Sequence, residues 1–327
     1  MEKSRSSTRA EEGRPRLSVI IPTFNRAAIL ANCLQALSRQ TCDGDVYEVI
    51  VADDGSSDAT RDTVEQLSGQ GAPQILYLHQ QNAGANTARN RAIEVARGAI
   101  LLLINDDTVA TPPMLAEHLA THDRHPDDRV AVLGRVTISP ELPRARLAPL
   151  HLDRAYARLR DRRELDWRAF FTCNVSVKRS LLDRGGRFEE RLRYHEDLEL
   201  GERLSHHGLR VIYCPEALGY HDHVLTEEEF FAVAAREGQA LAVWSRLAPQ
   251  LGPVLGSLGF EPALPRGRRI RHRLAELVIN RATLPSWRWV ARHCPSALEG
   301  LSLILYDKSY QCVRRSSLRR ELRGAVS

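Results

Sequence analysis

Residues 17–22 read LSVIIP, a short β-branched apolar run closed by a proline, which suits a strand buried on both faces of a sheet. Downstream, Ile29, Leu30, Cys33, Leu34 and Leu37 recur at helical spacing. Residues 47–52 (YEVIVA) then return to strand character before the acidic turn Asp53-Asp54-Gly55-Ser56-Ser57-Asp58. This is one βαβ unit, and the pattern repeats: a helix over 59–67, a strand over 74–79, a helix over 86–96, and the buried strand 99–104 running into Asn105-Asp106-Asp107. Strands alternating with helices predict an α/β domain with a mostly parallel central sheet.

Further along, the spacing predicts strands at 130–138, 170–178 and 211–213 and a helix starting near Asp197. After Tyr220-His221-Asp222-His223, the stretch Thr226-Glu227-Glu228-Glu229 has the form of a capping box and opens a helical remainder. The expected division is a flexible N-terminus (1–15), an α/β domain (16–223) and a helical, basic C-terminal region (224–327).

Of 327 residues, 43% are hydrophobic and 27% charged, with a net charge of +5, a balance that excludes wholesale disorder. The longest apolar runs, 99–104 and 130–133, fall far short of the roughly 20 residues that cross a bilayer. Residues 1–16 are polar and lack the apolar stretch of a signal peptide, so a cytoplasmic location is expected. Cys33, Cys42, Cys173, Cys214, Cys294 and Cys312 are scattered without a C-x-x-C pair and read as reduced thiols.

The charge is uneven. Residues 262–327 carry 14 Lys and Arg against 4 Asp and Glu, or +10, which leaves −5 for residues 1–261. Arg314, Arg315, Arg319, Arg320 and Arg323 beside Leu318 and Leu322 predict either a peripheral contact with the inner membrane face or an ordinary solvated helix face. No aromatic interleaving accompanies the basic residues, and nucleic acid is not an expected partner.

In open α/β sheets, ligands bind outside the carboxyl ends of the strands. Here those ends carry Pro22-Thr23-Phe24-Asn25-Arg26, Asp53-Asp54-Gly55 and Asn105-Asp106-Asp107. Adjacent carboxylates repel, so the pairs Asp53/Asp54, Asp106/Asp107 and Glu196/Asp197 call for compensating cations or donors. Mg²⁺ and Mn²⁺ take oxygen ligands and are commonly held by one or two carboxylates together with substrate phosphates. Asp107, ending the most apolar strand, reads as such a ligand, whereas Asp58 reads as the cap of the helix that follows it.

Six segments in this order resemble family 2 glycosyltransferases of the GT-A fold: SVIIPTFNR (18–26), VADDGSSDAT (51–60), Asn82-x-Gly84 with Ala88-Arg89-Asn90, ILLLINDDT (100–108), NVSVKRSLL with Gly185-Gly186 (174–186), and HEDLELGERL (195–204). The resemblance implies a Rossmann-like, nucleotide-sugar-dependent, inverting enzyme. It puts Pro22, Phe24, Arg26, Asp53 and Asp54 on the nucleotide side, with Asp54 accepting the N3 proton of uracil or thymine and Phe24 near the base. A UDP- or dTDP-sugar is therefore the implied donor. Arg89 is implied at the sugar or diphosphate, Asp106 near the ribose, and Asp107 on Mn²⁺ or Mg²⁺. The family's D-x-D motif stands here as Asn105-Asp106-Asp107, without its first acid.

The Glu196-Asp197 pair resembles the family's catalytic motif, which implies Asp197 as general base with Glu196 as the fallback. His221, and less directly His223, matches a histidine that adds a metal contact in related enzymes. The expected acceptor is a glycan, a lipid-linked sugar, a peptide or a small molecule, receiving one sugar at a time. The rival expectation is a non-catalytic nucleotide-sugar-binding module or a membrane-associated accessory protein.

Overall fold

The computed structural model describes residues 13–69, 73–143, 146–150, 152–157, 159 and 162–324, so the expected N-terminal segment falls outside it as far as residue 12. In chain order the elements are β1 (Leu17–Thr23), α1 (Ala27–Leu37), β2 (Tyr47–Asp53), α2 (Thr60–Ser68), β3 (Gln74–His79), α3 (Ala85–Val95) and β4 (Ile100–Ile104). They continue with β5 (Thr108–Ala110), α4 (Met114–Arg124), β6 (Val130–Ile138), α5 (Leu152–Ala157), β7 (Glu164–Leu165), β8 (Asn174–Lys178), α6 (Arg179–Gly185), α7 (Glu196–Ser205) and β9 (Arg210–His221). Helices follow: α8 (Glu227–Leu247), α9 (Gly252–Ser257), α10 (Arg266–Val278), α11 (Leu284–Arg292) and α12 (Glu299–Gly324).

Among the described residues the strands form one nine-stranded sheet in the order β3-β2-β1-β4-β8-β6-β9-β5, with β7 on β9. Pairs β3–β2, β2–β1, β1–β4 and β6–β9 are parallel, while β8, β5 and β7 run antiparallel to their neighbours. Six strands therefore share one direction. The chain order reverses between β1 and β4, the switch point at which such sheets open a crevice.

Alternation along β1 sets the two cores. Val19 and Ile21 pack with Leu30, Leu34 and Leu37 of α1 on one face, while Ile20 packs with Ala88, Ala92 and Ile93 of α3 on the other. The β1–β4 ladder ends at Ile20↔Leu103 whereas β1–β2 continues to Thr23↔Asp53. Pro22 thus lies beyond one ladder, where its missing N–H costs no hydrogen bond.

Two features depart from the sequence expectation. The strand expected at 211–213 runs on to His221, because residues 215–217 bulge out of register between the pairs Gly134↔Cys214 and Arg135↔Leu218, so Pro215 does not end it. Phe170 closes a 3₁₀ turn rather than opening a strand, and β8 begins at Asn174.

The chain divides into two compact units. The first holds the sheet and its helices as far as His223, and the second comprises the helices from Val224 onward with two short segments, 146–150 among the described residues and Arg191–His195. In the second unit the capping box forms, with the Thr226 hydroxyl accepting from the Glu229 N–H and the Glu229 carboxylate from the Thr226 N–H. Phe230, Phe231, Leu305 and Tyr306 make its core. Gly238 lets α12 approach α8 closely, since a Cβ there would sit 2.2 Å from the Arg314 carbonyl oxygen.

The expected lipid-facing end of α12 is differently arranged. Arg314 pairs with Glu237, Arg315 with Glu276, and Arg319 with both Glu261 and Glu276. Leu318 is 1% exposed. These three cations neutralise acids of their own unit and the leucine between them is core, whereas Arg320 and Arg323 stay exposed. No helix among the described residues is long and apolar enough to cross a membrane.

Candidate active site

The end of β1 is tied to the acidic end of β4. The Thr23 hydroxyl donates to Asp106 Oδ2 at 2.9 Å, and Arg26 straddles the pair, with Nη1 2.6 Å from Asp106 Oδ1 and Nη2 3.0 Å from Asp107 Oδ2. Burial pushes the Asp106 carboxyl up to about 6, with the Asp107 charge adding to it and Arg26 and Thr23 opposing. Phe24 stands 44% exposed, outside the core. Asp58 caps in two directions: Oδ1 accepts from the Thr60 N–H at the start of α2, and Oδ2 from the Ala27 N–H at the start of α1.

At the end of β2, Asp53 accepts from the Ser56 N–H at 2.8 Å and from the Tyr77 hydroxyl. Asp54 is buried and already holds three donors, with Gln80 Nε2 and the Ala83 N–H on Oδ1 and the Gly84 N–H on Oδ2. Gly84 makes that turn with φ 105°, a region that favours glycine. The first role of Asp54 is therefore to lock the β3–α3 turn against β2; two oxygens with about four acceptor positions leave room for one further donor.

Asp107 faces β9. In the β5–β9 register Thr108 pairs with His221, and the Asp222 N–H donates to the Asp107 carbonyl. His221 Nε2 consequently lies 3.5 Å from Asp107 Oδ2. Its Nδ1 is 2.9 Å from the His223 carbonyl, which can only accept, so Nδ1 donates there and the ring is held with Nε2 toward Asp107. Asp107 Oδ1 is buried without a hydrogen-bond partner among the described residues. An orphaned carboxylate oxygen beside an imidazole nitrogen fits a hard divalent cation, which would share Asp107 with Arg26. No three His, Cys, Asp or Glu side chains converge on one point among the described residues, so such an ion would take its remaining ligands from phosphate and water.

Arg89, on α3, joins the two halves of the site. Its guanidinium is buried, with Nη1 at 2.9 Å from Asn86 Oδ1 and 3.1 Å from Glu196 Oε1, and Nη2 at 3.4 Å from Asn105 Oδ1. Asn105, standing where the D-x-D motif has its first acid, thus serves Arg89 as an acceptor. Asn90 holds the loop leading to α7, accepting from the Phe188 N–H and donating to the Phe188 carbonyl and to Glu190. Arg203 fixes α7 from its other end, pairing with Glu199 and donating to the carbonyls of Gly185 and Arg187.

Asp197, half-buried in the first turn of α7, accepts from the Leu198 N–H at 2.8 Å. Burial, then the Glu196 charge, push its carboxyl up to about 7, with Arg89 opposing. Burial pushes the Cys173 thiol up to about 11, and the charges of Asp197 and Asp107 add to it. Cys173 carried no signal in the sequence that marked it as part of this site, whereas Asn105 was marked by its place in the D-x-D position but not by its bond to Arg89.

The Glycosyl transferase family 2 model matches residues 18–186, just over half of the chain. The chain belongs to glycosyl transferase family 2. This family 2 chain is 32% identical over 233 residues to the validoxylamine A glucosyltransferase of Streptomyces hygroscopicus subsp. jinggangensis, covering 63% of this chain and 55% of that protein. It spans about half the length of the curated Streptomyces relatives it matches. Among solved structures it is similar to the mannosyltransferase PcManGT of Pyrobaculum calidifontis in complex with GDP-Man and Mn²⁺, with TM-score 0.63, 21% identity, and coverage of 94% of this chain and 87% of that one. It is also similar to S. aureus TarS 1-349 in complex with UDP, with TM-score 0.53, 18% identity and coverage of 93% and 91%. These likenesses give the fold as GT-A, as the sequence resemblance implied.

Proposed function

We propose that the protein is an inverting, metal-dependent glycosyltransferase that moves one sugar at a time from a UDP- or dTDP-sugar to an acceptor hydroxyl. The observation that carries this reading is Arg89, whose single buried guanidinium reaches both Asn105, at the donor-side strand end, and Glu196, beside the proposed base. Asp107 and His221 would hold Mn²⁺ or Mg²⁺, and Asp106 would face the ribose. A divalent ion there would neutralise charge on the departing diphosphate.

Asp197 would accept the acceptor hydroxyl proton as that oxygen attacks the anomeric carbon and the bond to the diphosphate oxygen breaks. A carboxyl held near neutrality is a stronger base than a free one and is still ionised near pH 7, which suits this role. Glu196, paired with Arg89, is the poorer candidate because its charge is already engaged. Phe24 would stack on the base, and the acceptor position left on Asp54 would take the N3–H of a pyrimidine. The solved neighbours bind different nucleotides, GDP-Man in one and UDP in the other, so the fold does not choose the base.

The name of the Streptomyces relative supports a small hydroxylated molecule among the acceptor classes, beside glycans, lipid-linked sugars and peptides. Calorimetric titration with UDP, dTDP and GDP, each with and without Mn²⁺, tests the donor side. The expected result is metal-dependent binding of the pyrimidine nucleotides; tighter binding of GDP would overturn the base assignment, and equal binding without metal would overturn the metal site.

A further inference from the structure

Helix α10 turns its apolar stripe away from the protein. Its half-buried inner side carries His272 and Glu276, with Glu276 accepting from Arg315 and Arg319. Ile270, Leu274, Leu277 and Val278, spaced as one helical face, are 50, 58, 75 and 55% exposed, and no residue of the helix is buried. A helix that covers a core points such a stripe inward, and a contiguous exposed one marks an interaction surface. The stripe continues toward α11, where Trp287 Nε1 donates to the Val278 carbonyl at 3.0 Å and Trp289 stands 62% exposed.

Charge identifies the partner. Arg266, Arg268, Arg269, Arg271 and Arg273 have no ion-pair partner among the described residues, and the single acid of α10, Glu276, is already engaged by Arg315 and Arg319. A second copy of the chain would bring like charges against Arg266, Arg271 and Arg273, which flank the stripe. An anionic bilayer meets both requirements, with phosphates for the arginines and the acyl boundary for the leucines, and with an interfacial position for an exposed tryptophan. We propose that α10 and the start of α11 form a docking surface for anionic lipid, with α10 lying in the plane of the membrane. The inference is independent of the transfer reaction.

The test is co-sedimentation of the full chain with phosphatidylcholine vesicles, with and without phosphatidylglycerol, over a range of salt. Binding is expected only with phosphatidylglycerol and should fall as salt rises. Arg266→Gln with Arg271→Gln, the two arginines at the edges of the stripe, should weaken it about fivefold per charge removed. Leu274→Ser with Leu277→Ser should weaken it at least about tenfold, while the melting temperature holds because both side chains are exposed. Absence of binding to phosphatidylglycerol vesicles, or binding that survives both variants, overturns the proposal. So does a dimer, seen by light scattering, that the leucine variant dissolves without any vesicle binding in the parent protein.

Discussion

His221 Nε2 and Asp107 Oδ2 face each other at 3.5 Å while His221 Nδ1 is held by the His223 carbonyl. Arg26 Nη2 already holds Asp107 Oδ2 at 3.0 Å, while the second Asp107 oxygen is buried without a hydrogen-bond partner among the described residues. That orphaned oxygen, beside the His221 ring, is where a divalent cation would bind. His221→Ala is expected to weaken Mn²⁺-supported nucleotide binding by about tenfold or more, and Asp107→Ala to abolish the metal-dependent part. Calorimetry with and without Mn²⁺ measures both. Unchanged metal dependence in Asp107→Ala would show that the ion binds elsewhere.

Asp197 separates binding from chemistry. The Asp197→Asn variant keeps the size of the side chain and its bond to the Leu198 N–H but cannot accept a proton, so nucleotide binding should persist while transfer falls by about 10²–10⁴-fold. The working form is the ionised carboxylate. With its carboxyl raised to about 7, the single-turnover rate should climb with pH up to that point and level off above it. Initial rates across pH 5 to 9 check this, and a rate that falls with rising pH in that range would assign Asp197 as an acid instead.

How far the sequence disclosed this site depends on the range of the interaction. LSVIIPTFNR, YEVIVADD and ILLLINDD announce buried parallel strands with acids at their ends, because apolar runs and turn residues are local signals. The outward position of Phe24 and the capping by Asp58 follow from the same local chemistry. What the sequence concealed is pairing across long separations, Arg89 with Asn105 and Glu196, whereas the meeting of His221 with Asp107 was implied by the family resemblance and not by any local signal. The partners of Arg315 and Arg319 were hidden for the same reason, since the acids that neutralise them lie about 40 to 60 residues earlier in the chain.

Arg89 should act on the base at a distance. It is one of the charges that hold the Asp197 carboxyl down, against burial and Glu196. Removing it in Arg89→Ala leaves Glu196 unpaired and should move the rise of the pH–rate profile to higher pH. Loss of a buried partner of this kind also costs about 3 kcal/mol or more of stability. Arg89→Lys, which keeps the charge but not the three-way fork, is expected to restore the pH midpoint more fully than the rate. An unshifted profile in Arg89→Ala would reduce Arg89 to a packing residue.

Beneath the sheet, His118 and His122 lie on one face of α4 and share the Ser176 hydroxyl, at 2.8 and 2.9 Å, while His118 Nε2 meets Asn174 Oδ1 at 2.9 Å. Burial pushes their imidazoles down, to about 4 for His118 and about 3 for His122, where the His118 charge adds to the effect. Both are neutral in the fold, whereas in the unfolded chain they protonate near 6.5. The unfolded state therefore binds more protons below that pH, and stability must fall as pH drops from about 6.5 toward 4. At 1.36 kcal/mol per pKa unit the two together cost a few kcal/mol across that window. Urea midpoints taken from pH 7.5 to 4.5 should decline, and His122→Gln, which cannot be protonated, should flatten the decline relative to its own value at pH 7.5. An equal slope in that variant would place the acid sensitivity of the fold elsewhere.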